Sequence, residues 1–130
     1  MAKKILVVDD DPDLITYIST LLADNGYEVL TAKDGNEGLE KVRNENPDAV
    51  TLDLLMPEKT GMKMFRELRK DEALKNTPVI MVTGISDEYH AFAEFKNFLA
   101  KMKMPGPEAY LEKPINKEEF LAAVQKVLEP

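Results

Sequence analysis

Charged residues stand where apolar runs stop. Asp9-Asp10-Asp11 follows Lys4–Val8, Asp53 ends Ala49–Asp53, and Lys113 comes directly after Ala109–Glu112. A hydroxyl, Thr83, closes a further run that starts at Val79. An ionised group beside so much apolar sequence is costly unless it is paired, metal-bound or at the rim. Two carboxylates about 4 Å apart repel by about 4 kcal/mol at an effective dielectric near 20. Three brought together therefore need a cation, or one of them takes a raised pKa. The chain has no cysteine and a single histidine, His90, far from these positions, so the ligands would all be oxygen. That donor set favours a hard cation, Mg²⁺ ahead of Ca²⁺, because few protein ligands leave room for waters and a phosphoryl oxygen. An ammonium and a hydroxyl suit phosphate oxygens. The set could accept a phosphoryl group, with Asp53 as nucleophile.

Those residues meet only if the elements between them bring the run ends together. Lys4–Val8 lacks alternation, as expected of a strand covered on both faces of a parallel sheet. Asp11-Pro12 reads as an N-cap and first helical position, with Leu14, Ile15, Ile18, Leu21 and Leu22 on one face and Asn25-Gly26 as the stop. Tyr27–Ala32 reads as a second strand. Asp34-Gly35 reads as a turn opening a helix that Gly38 weakens. Pro47–Asp53 is a third strand, and Met62, Phe65 and Leu68 have helical spacing. Val79–Thr83 is a fourth strand, followed by a long helix from Ser86 to about Met104 that Pro105-Gly106-Pro107 terminates. Ala109–Glu112 is a short fifth strand. Asn116 with Glu119 suggests a capping box before a last helix carrying Phe120, Leu121, Val124, Val127 and Leu128.

Five strand–helix alternations predict an α/β fold, a doubly wound five-stranded parallel sheet of flavodoxin-like order 2-1-3-4-5, in one domain over residues 1–130. Ligands of such sheets bind outside the carboxyl ends of the strands, at the switch point between the first and third. Asp9, Asp10, Asp53, Thr83 and Lys113 all fall at that edge. A net charge of −7 disfavours a nucleic-acid backbone as direct partner. The opening Ile5–Val8 run is too short for a signal peptide or a membrane span, so a cytoplasmic protein is expected.

Four separated motifs resemble the response-regulator receiver domain: Val7-Val8-Asp9-Asp10; Asp53 followed by Met56-Pro57 and Gly61; Val82-Thr83-Gly84; and Tyr110-Leu111-Glu112-Lys113-Pro114. The resemblance covers essentially the whole chain. It implies phosphotransfer onto Asp53 from a sensor histidine kinase or phosphotransfer protein, with Asp9, Asp10 and Asp53 holding Mg²⁺ and the Leu55 carbonyl completing the protein ligands. It further implies Thr83 as switch hydroxyl, Tyr110 as aromatic switch, Lys113 as phosphate contact and a cis Lys113–Pro114 bond. Such a domain catalyses its own phosphorylation without being a turnover enzyme. With the chain ending at Pro130, the message is expected to pass to a separate output protein.

Two departures stand out. The stretch from Thr83 to Lys113 is longer than the family pattern by roughly two helical turns. Leu55 and Ile85 are apolar where a polar side chain could orient an attacking water, so slow hydrolysis of the phosphoryl-aspartate is expected. Rival readings are weaker. A phosphatase forming an aspartyl-phosphate wants a second acid at Leu55. A flavin or nucleotide module wants a phosphate cradle where three aspartates stand. A degenerate receiver acting as a phosphorylation-independent scaffold would have no use for the intact acidic set. His90 reads as a solvated helix position, and Phe92, Phe95 and Phe98 mostly as core.

Overall fold

A computed structural model describes residues 2–53, 61–83, 96–97 and 99–129, with the Thr83 side chain outside that set. The expectations placed on Leu55, Ile85, His90, Phe92, Phe95 and Phe98 fall outside the described residues. Strands β1 (Lys4–Val8), β2 (Glu28–Ala32), β3 (Ala49–Asp53), β4 (Val79–Thr83) and β5 (Ala109–Glu112) form one parallel sheet in the order β2-β1-β3-β4-β5. Helices α1 (Pro12–Asp24), α2 (Gly35–Glu45) and α3 (Gly61–Lys70) and a C-terminal helix (Lys117–Leu128) cover it. This is the doubly wound, flavodoxin-like arrangement expected from the pattern.

Strand periodicity splits the core in two. Successive side chains of a strand point to opposite faces. From β1, Leu6 and Val8 join Val50, Leu52, Leu39, Val42, Met64, Phe65 and Leu68 on the α2–α3 side. Ile5 and Val7 join Ile18, Leu22, Ile80, Phe120 and Val124 under α1 and the C-terminal helix. Strands covered on both faces cannot alternate apolar with polar residues, hence the unbroken apolar runs.

The helix ends follow their sequences. Asp11 caps α1, its side chain accepting from the Asp13 and Leu14 amides, with Pro12 at the first position. Gly26 takes a left-handed φ of 89° just past the end of α1, and the Tyr27 amide returns to the Leu22 carbonyl. Asn116 caps the C-terminal helix by accepting from the Glu119 amide. Asp34-Gly35 does more than turn the chain. Asp34 Oδ1 accepts from the Glu37 amide at 2.9 Å, while Glu37 Oε1 accepts from the Lys33 amide at 2.7 Å. Gly38 also has a positive role: a Cβ there would stand 2.8 Å from Met64 Sδ and 3.2 Å from Val8 Cγ2, so the missing side chain lets α2 pack closely on β1 and α3. The Lys113–Pro114 bond is cis.

Candidate functional site

The site forms because β1 and β3 are neighbours in register. Val8 pairs with Leu52, so Asp9 and Asp53, the next residues along, come to the sheet edge side by side. Asp53 pairs with Val82 of β4, and Thr83 with Glu112 of β5, which places the Thr83 backbone and Lys113 along the same edge. Asp9 and Asp53 are each only 2% exposed, whereas Asp10 is open to solvent. The three carboxylates each offer an oxygen, and these oxygens all lie within 4.8 Å of one another.

The Lys113 ammonium reaches over from the far strand. Its Nζ lies 3.3 Å from Asp53 Oδ1 and 3.6 Å from Asp9 Oδ2. A strand order that separated Asp10 or Lys113 from Asp53 would have dismantled the site, and the sheet brings them together. Repulsion among the acids is met in two ways. Lys113 supplies positive charge, and the Asp9 carboxyl is pushed above its ordinary value. Burial is the main cause of that rise, with the Asp10 and Asp11 charges adding to it; the hydrogen bond from the Asp11 amide and the Lys113 charge oppose it. That Asp11 amide donates to Asp9 Oδ1 at 2.9 Å. The residue read from sequence only as a helix cap thus also orients the neighbouring acid.

Tyr110 lies one strand position from the buried Leu111 and is partly exposed. The Lys96 ammonium stands over its ring at 5.9 Å from the centroid, and a Cβ on Gly106 would be 3.3 Å from its hydroxyl. Partial burial raises its pKa. Its ring faces Lys96 and its hydroxyl faces Gly106, so it lies outside the packed core.

Paired strand-tip acids and a lysine just past β5 agree with the receiver-domain resemblance. A model of the response regulator receiver domain matches residues 5–125. The chain belongs to that family. This receiver domain is 34% identical over 125 residues to the protein PilH of Pseudomonas aeruginosa, covering 96% of this chain and 97% of PilH. It is 36% identical over 124 residues to hybrid signal transduction histidine kinase D of Dictyostelium discoideum, covering 95% of this chain. It spans 7% of that kinase's length and about half the length of the transcriptional regulators it matches. Among solved structures, the chemotaxis response regulator CheY4 of Vibrio cholerae superposes with a TM-score of 0.82 at 32% identity, covering 98% of this chain and 100% of that one. Among the described residues, no helix is long and apolar enough to cross a membrane.

Proposed function

We propose that this receiver domain accepts a phosphoryl group on Asp53 in a two-component pathway, the donor being a phosphohistidine of a sensor kinase or phosphotransfer protein. The observation that carries the reading is the Lys113 ammonium 3.3 Å from Asp53 Oδ1, in a cluster whose other oxygens belong to Asp9 and Asp10. An Asp53 carboxylate oxygen attacks phosphorus, the O–P bond forms as the P–N bond breaks, and the imidazole departs with the electron pair. Lys113 then balances the charge of the phosphoryl oxygens, with the Thr83 hydroxyl as a further contact.

The acidic set fits a hard divalent cation. Three carboxylates, with no histidine or cysteine beside them among the described residues, suit Mg²⁺, which Asp9, Asp10, Asp53 and the Leu55 carbonyl would hold. When bound, Mg²⁺ offsets negative charge on the transferring group. The new charge at Asp53 biases the positions of Thr83 and Tyr110, and so the surface that a downstream output protein reads. We read residues 1–130 as a single cytoplasmic receiver unit in which apolar Leu55 and Ile85 slow hydrolysis. Hydrolysis within seconds would overturn that last point.

The test is intact-mass spectrometry after treatment with acetyl phosphate. A single phosphoryl adduct that requires Mg²⁺ and is absent in Asp53→Asn is expected. A wild-type protein with neither an adduct nor beryllofluoride binding would instead be a scaffold that works without phosphorylation.

A further inference from the structure

A second polar cluster lies at the opposite, amino-terminal edge of the sheet. Arg69, in the last turn of α3, has a side chain only 2% exposed. Burying a guanidinium is expensive unless its donors are used. Its Nη1 donates to the carbonyls of Lys75 (3.1 Å) and Thr77 (2.7 Å), and its Nη2 to Glu108 Oε1 (2.9 Å) and Oε2 (3.3 Å). The Phe65 ring lies 4.5 Å beneath, within cation–π range. The arginine therefore joins the chain leading into β4 to the chain leading into β5.

Glu108 is the other half of the clamp. Its Oε1 accepts the Val79 amide at 2.6 Å, and its own amide donates to the Val79 carbonyl at 2.9 Å. This extends the β4–β5 pairing one residue beyond Ile80 and Ala109. The strand so anchored is an edge strand among the described residues. It is four residues long, pairs only with β4 among the described residues, and buries only Leu111 well. A slip of one residue would exchange the faces of Tyr110 and Leu111. It would also carry Lys113 about 3.3 Å along the strand direction, enough to end a 3.3 Å contact with Asp53.

We propose that Arg69 is a positioning residue that, through Glu108, pins the register of β5 and so holds Lys113 over Asp53. The consequence for phosphorylation rests on the phosphoacceptor reading above; the pin itself does not. The test compares wild type with Arg69→Lys, which keeps the charge but not the fork, and Glu108→Gln, which keeps an acceptor for Val79 but not the ion pair. Glu108 is 41% exposed, so its variant serves if Arg69→Lys does not fold. Three quantities are measured at a temperature where circular dichroism shows full folding: amide hydrogen exchange, Mg²⁺ affinity by calorimetry, and the rate of labelling by acetyl phosphate.

Faster exchange confined to β5 is expected. The labelling rate should fall roughly tenfold, in line with the sensitivity of catalysis to small misplacements. Mg²⁺ affinity should not fall, because its carboxylates sit at the ends of β1 and β3. Unchanged β5 exchange, or unchanged labelling in a variant with a lowered melting temperature, would make Arg69 merely structural and overturn the proposal. A fall in Mg²⁺ affinity parallel to labelling would also overturn it, as general loosening of the site. Failure of wild type to label would remove the phosphoacceptor reading, while the exchange measurement would still decide the pin.

Discussion

The Lys113 ammonium, two strands away in the sheet, is held 3.3 Å from Asp53 Oδ1, and Asp53 is only 2% exposed. A basic side chain thus stands beside the acids proposed to hold a cation. Its removal would leave two buried neighbouring acids facing one another.

Lys113→Met tests that arrangement. Leaving a buried charge without its partner costs about 3–5 kcal/mol when fully buried, and less at a rim such as this one. Without divalent ions, a loss on the order of 1–2 kcal/mol is expected in urea denaturation. Saturating Mg²⁺ should recover more stability in the variant than in wild type, since binding to the native state stabilises according to affinity. Labelling by acetyl phosphate should drop at least about tenfold. An equal Mg²⁺ stabilisation of both proteins would refute the substitution of one cation for another.

Asp9 should make stability depend on pH in a direction opposite to most surface acids. Its pKa is raised in the folded protein from the ordinary 3.8. Between that ordinary value and the raised one, the native state holds more protons than the unfolded state, so stability falls as pH rises through this window. Below 3.8 both states are protonated and the penalty is absent. Asp9→Asn keeps an acceptor for the Asp11 amide and abolishes the charge. In chelator-containing buffer at neutral pH it should be more stable than wild type by on the order of 1 kcal/mol, because the buried position no longer holds a desolvated charge. At pH 3 the difference should vanish, and Mg²⁺ should stabilise the variant less. Denaturation curves at the two pH values decide it.

Much of this site was legible in the sequence because its residues fall at the ends of apolar runs, and a parallel sheet with one switch point leaves few ways to arrange such ends. Asp9, Asp53 and Lys113 were found by that logic alone. What escaped were relationships without local periodicity. The partners of Arg69 lie up to 39 residues away, and an Arg69-Lys70 pair after Leu68 looks like ordinary favourable charge at a helix end. Gly38 looked like a defect because propensity counts only the helix's own backbone, whereas its reason lies in Met64 and Val8 across the core. For Asp34 a signal was present, the acid-to-Glu37 spacing of a capping box, and the Asp-Gly turn signal masked it.

Asp34→Ala should remove the α2 cap. It leaves the Glu37 amide without its acceptor, at about 1 kcal/mol. The loss should appear as a lower urea midpoint with an unchanged slope. Asp34→Ser should recover most of it. A midpoint within error of wild type for Asp34→Ala would show that the capping bond adds nothing over water.

Gly38→Ala sets two effects against each other. Alanine in a helix interior gains about 1 kcal/mol over glycine. The added methyl would lie 2.8 Å from Met64 Sδ, 2.9 Å from Met64 Cε and 3.2 Å from Val8 Cγ2. The thioether end is flexible, but Met64 is fully buried among Val8, Leu39 and Phe65, so its displacement is passed to a packed core. Overpacking of this kind costs typically 1–3 kcal/mol, which outweighs the propensity gain. A net destabilisation of about 1 kcal/mol is expected. The decisive measurement is a double-mutant cycle with Met64→Ala, which creates space where the methyl would go. That single change alone should cost about 2–5 kcal/mol, and the pair should cost less than the sum of the two by at least about 0.5 kcal/mol. Additive losses would mean that the close approach of α2 does not depend on the missing side chain.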